Sequence, residues 1–185
     1  MWQVTSQKNG ISAMGLQHTL GLGGYQTAWT MLQKLRRAMV RPGRDRLDGT
    51  VDVDEAYWGG QEEGVVGRLT YKKALLLVAA EHDGNGIGRI RMAHVANLRK
   101  ASLHGFIAQS IKPGSTVCTD GLPAYMGMKG YFHDRQVQRH TPDGEHLLPR
   151  VHRVISLLKR WLLGTHQGAI GNEHLDYYLD EFTFR

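Results

Sequence analysis

The stretch Thr50–Gly60, TVDVDEAYWGG, sets Asp52, Asp54 and Glu55 inside what otherwise reads as a buried β-strand. Asp and Glu are poor strand formers, and an unpaired carboxylate is costly to bury. Either this is a surface strand with a polar face, or the acids are held there to bind something positive. In a strand, residues two apart share a face, so Asp52 and Asp54 point one way while Val51 and Val53 point the other. The valines are then free to pack on a helix layer while the two acids look toward an open side.

Downstream of Gly60 the pattern is again that of a sheet. KKALLLVAAEHD (Lys72–Asp83) is a continuous apolar run of the kind a covered central strand shows. Asp83–Gly86, DGNG, has the residues of a tight hairpin turn, and Ile87–Asn97 alternates with period two. Three strands in succession predict an antiparallel meander. Arg99–Ile111 predicts an amphipathic helix, closed by Pro113-Gly114. Ser115–Gly121 predicts a short strand, LPAYMGM a short helix or turn, and His133–His140 a more polar strand at the sheet edge. A long helix over about Leu148–Leu163 and a second amphipathic helix, GNEHLDYYLDEFTFR, close the chain. The order β-β-β-α-β-α-β-α is that of an RNase H-like mixed sheet flanked by helices.

Upstream, the first forty residues predict helices. Ser12 is a plausible N-cap for a helix with Met14, Leu16 and Leu20 at helical spacing, and a second runs over about Tyr25–Met39 with Ala28, Leu32 and Leu35 on one face. Gly21–Gly24 separates them. Two short helices with a glycine turn fit a helix-turn-helix, and equally two packed core helices. The linker RPGRDRLDG then suggests a division into a helical segment, 1–46, and a sheet domain, 47–185.

The chain has 185 residues, 41% hydrophobic and 22% charged, which describes a globular domain rather than a disordered one. No apolar run approaches the roughly 18 residues of a membrane span, and the N-terminus lacks signal-peptide architecture. A cytoplasmic protein is the expectation. Cys118 is the single cysteine, which excludes an intramolecular disulfide and a cysteine-based zinc site. With 23 Lys+Arg against 17 Asp+Glu, the formal charge is +6, which favours a polyanionic partner. Basic residues gather in two places, RRAMVRPGRDR (Arg36–Arg46) and RVHRVISLLKR (Arg150–Arg160). Arg36, Arg37, Arg41, Arg153, Lys159 and Arg160 are the candidate DNA contacts.

Asp120, in TVCTDGLPAY, sits where a short apolar strand meets a turn. In an RNase H-like sheet the first and fourth strands are neighbours, which brings Asp54 and Asp120 together. Carboxylates that close repel unless a proton or cation lies between them, and Mg²⁺ or Mn²⁺ suit oxygen ligands. Asp-Gly is also an ordinary turn pair, so Asp120 alone has a plainer reading. On the later helix, His152, Ser156 and Lys159 share one stripe.

Taken together, GISAMGLQHTLGL, TAWTMLQKLRRAM, VDVDEAYWGG, CTDGLPAY, VHRVISLLKRWLLGTH and HLDYYLDEFTFR resemble the DDE-type transposases of bacterial insertion sequences, and more narrowly the ISXO2-like transposase domain. The resemblance implies an RNase H-like catalytic core, a divalent metal (Mg²⁺ or Mn²⁺), and cleavage and strand transfer of double-stranded DNA at transposon ends. It implies assembly as a homodimer or higher on paired ends. By motif, Asp54 is the first catalytic and metal-holding acid, Asp120 the second, and His152 takes the third position, seven residues before Lys159, which would position DNA. Asp52 and Glu55 are expected to be supporting residues.

Three departures accompany it. His152 stands where Glu is most common and Asn is known; Cys118 alone cannot build the zinc ribbon many members carry; and the chain stops at EFTFR, where members typically continue. Three readings therefore stand open: an active transposase domain, a catalytically degraded, DNA-binding remnant, or a chain that only assembles with or inhibits an intact transposase.

Overall fold

The computed structural model describes residues 2–7, 9–40, 43–59, 73–137, 147–166, 168 and 170–185. Contacts divide them into a sheet unit, Asp45–Ser156, and a helical unit formed by Met1–Arg44 with Leu157–Arg185. This differs from the division at 46/47 expected from the linker. The last part of the chain joins the N-terminal helices, because its final helix finds the partner for its buried face there.

In the sheet unit, β1 (Thr50–Trp58), β2 (Ala74–Asp83), β3 (Gly86–Val95), β4 (Thr116–Thr119) and β5 (Phe132–Arg135) form one sheet of order β3-β2-β1-β4-β5. β1, β2 and β3 make the antiparallel meander, while β1–β4 and β4–β5 are parallel. This mixed sheet has the strand order and directions of an RNase H-like fold. β2 owes its place inside the sheet to the run Ala74–Ala80, in which every residue is buried. Gly84-Asn85 turn β2 into β3, with Gly84 at φ 54°, a left-handed conformation that glycine adopts without a side-chain penalty. The edge strand β5 is shorter than expected, and the part of His133–His140 beyond Val137 lies outside the described residues, as does Lys72.

One face of this sheet carries the hydrophobic core. Val51, Val53, Leu77, Ala79 and Val117 meet Leu103, Phe106 and Ile107 of α4 (Lys100–Ser110, the fourth helix in the chain) and Tyr125, from a 3-10 turn at Pro123–Tyr125. The start of a later helix, α5 (Pro149–His166), is tied to the β2–β3 turn, where Arg150 donates to the carbonyls of Gly86 (3.0 Å) and Gly84 (2.8 Å).

The helical unit contains α1 (Trp2–Thr5), α2 (Ala13–Leu20), α3 (Tyr25–Met39), the later part of α5 and α6 (Leu175–Phe184). The Ser12 hydroxyl caps α2 by accepting from the Gly15 N–H at 3.0 Å. Val4, Ile11, Leu16, Leu32 and Met39 form its core. No helix among the described residues is long and apolar enough to cross a membrane.

Candidate active site

Parallel pairing of β1 with β4 runs to Val53 opposite Thr119, so Asp54 and Asp120 are the next residue on each strand. Ligand oxygens of Asp54, Glu55 and Asp120 all lie within 4.8 Å of one another, at the end of β4, where β1 runs on paired with β2 only. Asp54 and Asp120 are the two acids expected from the sequence to meet. Asp120 also serves the turn, its Oδ1 accepting from the Leu122 N–H at 2.9 Å. Asp120 is thus a turn residue and, at the same time, a neighbour of Asp54.

Glu55 was expected to be supporting, because period-two alternation puts it on the face opposite Asp54. A carboxylate oxygen of Glu55 nonetheless comes within 4.8 Å of the other two, just beyond the end of β4, where β1 has a neighbour on its β2 side only. The hydroxyl of buried Tyr125 reaches Glu55 Oε2 at 3.5 Å. Burial, and then the charges of Glu55, Asp54 and Asp120, push the Tyr125 phenol well above its ordinary range, so it stays a neutral donor. Asp54 is also pushed up, by burial first and by the Asp120 charge; the Glu55 N–H and His152 pull the other way. A cation beside Asp54 would favour its charged form, against the burial and the Asp120 charge that push the other way.

His152, near the start of α5, places Nε2 2.9 Å from Asp54 Oδ2, with its ring about half exposed. The structure thus brings His152 to Asp54, while the group that converges within 4.8 Å takes Glu55, not His152, as its third member. His152, Ser156 and Lys159 are all exposed, as their shared stripe predicts. All three converging donors are oxygens, the set a hard divalent cation prefers, while the His152 imidazole beside them is a softer ligand that suits Mn²⁺ or Zn²⁺ better than Mg²⁺.

Asp52 behaves differently from the expectation that both aspartates face an open side. It is 1% exposed, and its Oδ1 lies 2.6 Å from His82 Nε2. Across the sheet from it come Cys118 and then Asp134 in register. Burial, followed by the charges of Asp52 and Asp134, pushes the Cys118 thiol up to about 12. A thiol so disposed is no nucleophile at neutral pH.

The basic candidates part company. Arg37, Arg153, Lys159 and Arg160 are exposed. Arg41 lies outside the described residues. Arg36 is corrected as a phosphate contact: it is 1% exposed, its Nε donates to buried Glu181 at 2.6 Å, and its guanidinium stacks 4.0 Å above the Tyr178 ring. Its neighbour in α6 lies far away in sequence, and no local pattern announces the pair.

The ISXO2-like transposase domain matches residues 46–185. The chain belongs to that family. Similarity to solved structures is remote. The catalytic core domain of BIV integrase is 16% identical with a TM-score of 0.45, over 71% of this chain and 81% of that one. A chain of the simian T-cell lymphotropic virus intasome in complex with PP2A regulatory subunit B56 gamma is 14% identical with a TM-score of 0.46, over 91% and 67%. At these values the fold assignment of this transposase domain rests on its own strand order. No curated protein shows significant similarity to it.

Proposed function

We propose that this transposase-family domain cleaves DNA at the ends of an insertion sequence and transfers the freed strand, with Asp54 and Asp120 as its metal-holding acids and His152 as the third donor. The observation that carries the reading is the meeting of Asp54, Glu55 and Asp120 at the end of β4. Asp54 and Asp120 would hold a divalent cation there, Mg²⁺ or Mn²⁺, which when bound would supply activation of a water or 3′-hydroxyl and charge stabilisation of the leaving oxygen. Asp54 and Asp120 supply the charge and fix the position at which a scissile phosphate must lie. His152, 2.9 Å from Asp54, orients that carboxylate from α5 and brings a nitrogen to the same place. Arg37, Arg153, Lys159 and Arg160 contact phosphates, which makes binding fall with salt.

Convergence within 4.8 Å favours a second reading of the third donor, in which Glu55 ligates and His152 only positions Asp54. Assembly as a dimer or larger on paired DNA ends belongs to the same proposal.

The test is nicking of linear DNA carrying the element's ends, with Mg²⁺ or Mn²⁺, by the wild type, Asp54→Asn and Asp120→Asn. Metal-dependent nicking lost in both variants supports the enzyme reading. Binding without nicking in either metal makes the domain a DNA-binding remnant. His152→Ala and Glu55→Gln then separate the two third-donor readings, the ligand being the residue whose loss abolishes cleavage.

A further inference from the structure

The helical unit holds a small cavity that the chemistry above does not use. It measures about 240 Å³ and is walled by Met14, Tyr25, Trp29, Tyr178, Arg36 and His166 among others. Tyr25 and Met14 form its open side, 51% and 59% exposed, while Arg36 lies fully inside. Two polar atoms at this cavity are buried without a partner, Arg36 Nη2 and His166 Nε2. Leaving such a group unsatisfied costs about 1–3 kcal/mol, and a native structure seldom does so without a reason.

From this geometry we infer that the cavity receives a single unpaired nucleobase of the DNA, its faces against the aromatic walls and its edge on Arg36 Nη2 and His166 Nε2. The inference rests on the DNA-processing reading above. A volume below the roughly 300–1,000 Å³ of drug-sized sites suits a planar ring system rather than a larger ligand. Two aromatic residues, Tyr25 and Trp29, offer ring surfaces, the Tyr178 ring being already covered by the Arg36 guanidinium, and stacking is open to any base because every base has a π-face.

Polarity separates a base from a phosphate. Arg36 already has Glu181 at 2.6 Å, so its charge is met, and only its Nη2 donor remains. The titratable groups around His166 are Arg36 and Arg185, whose charges add to burial in holding its ring down to about 3. A neutral imidazole offers a donor or an acceptor according to its tautomer. One donor beside one adaptable nitrogen matches a base edge, whereas a phosphate demands donors and free positive charge. Enzymes that work on DNA take single bases out of the stack at a cost of a few kcal/mol, which a built pocket offsets.

The experiment compares binding of the full chain to a perfect duplex and to the same duplex carrying one bulged 2-aminopurine, by anisotropy and by 2-aminopurine emission. Stacking worth about 1–3 kcal/mol predicts a roughly 5–150-fold preference for the bulged duplex, with quenched emission. Arg36→Met risks unfolding the unit by stranding Glu181, so the half-exposed rim carries the test. Tyr25→Ala should keep the melting temperature and the perfect-duplex affinity while the preference falls several-fold. Perfect-duplex binding with no preference in the wild type overturns the pocket and leaves the DNA reading intact. A preference untouched by Tyr25→Ala, or abolished by inorganic phosphate but not by adenosine, also overturns it. Failure to bind either duplex removes the DNA reading itself, and the inference with it.

Discussion

Asp52 and Asp54 are two residues apart on one face of β1, and each meets a histidine, yet their surroundings differ. Asp52 is 1% exposed and 2.6 Å from His82, within the sheet and flanked in register by Cys118. Asp54 is partly open, 2.9 Å from a half-exposed His152, and shares its space with Glu55 and Asp120. The strand supplies the same backbone to both. What separates them is the length of β4, which ends beside Asp54 and leaves room there for a ligand.

The largest effect should follow from Asp54→Asn. If Asp54 holds the cation, several kcal/mol of charge stabilisation go with it, and cleavage of end DNA should fall on the order of 10³-fold, while the fold persists by circular dichroism. Asp52→Ala should do the reverse. It strands His82 beside a buried gap and should cost about 2–3 kcal/mol, read as a drop of roughly 5–10 °C in Tm. Should Asp52→Ala abolish cleavage without lowering Tm, the distinction between the two aspartates would be broken.

Glu81, on β2 opposite Val51 of β1, sharpens the comparison through pH. Hydrogen bonds from Arg89 outweigh its desolvation and hold its carboxyl down at about 2, from an ordinary 4.5. A depressed carboxyl contributes stability that is present above 4.5 and lost as pH falls toward 2. Acid titration of Tm should therefore show a loss in that window that Glu81→Gln removes. Smallest of all is Lys112→Ala, which breaks an exposed, solvent-screened ion pair with Asp48 at 2.9 Å and should leave the urea midpoint all but unchanged.

Much of this arrangement is legible in the sequence. Val51 and Val53 alternate with the acids as a half-buried strand must, DGNG turns where glycine permits it, and the apolar run of β2 marks the sheet centre. Asp54 and Asp120 meet because the strand order makes their strands neighbours. Glu55 escapes the same logic, since alternation assigns it to the other face and only the early end of β4 lets it join. Arg36 escapes for a different reason: its charge is met by Glu181, 145 residues away, so a run of arginines that reads as a surface patch contains one buried member. Likewise nothing local to α6 says that it packs with α3 rather than with the sheet. Periodicity reports a face and its polarity; it does not report which distant element covers that face.

The most direct measurement is Mn²⁺ titration of the full chain followed by electron paramagnetic resonance, with duplex DNA present, for the wild type, Asp54→Asn, Asp120→Asn and Asp52→Asn. Saturable Mn²⁺ binding is expected of the wild type and of Asp52→Asn, and should be lost in Asp54→Asn and Asp120→Asn. Absence of saturable binding in the wild type, or equal binding by all four proteins, would contradict a cation site built on Asp54 and Asp120.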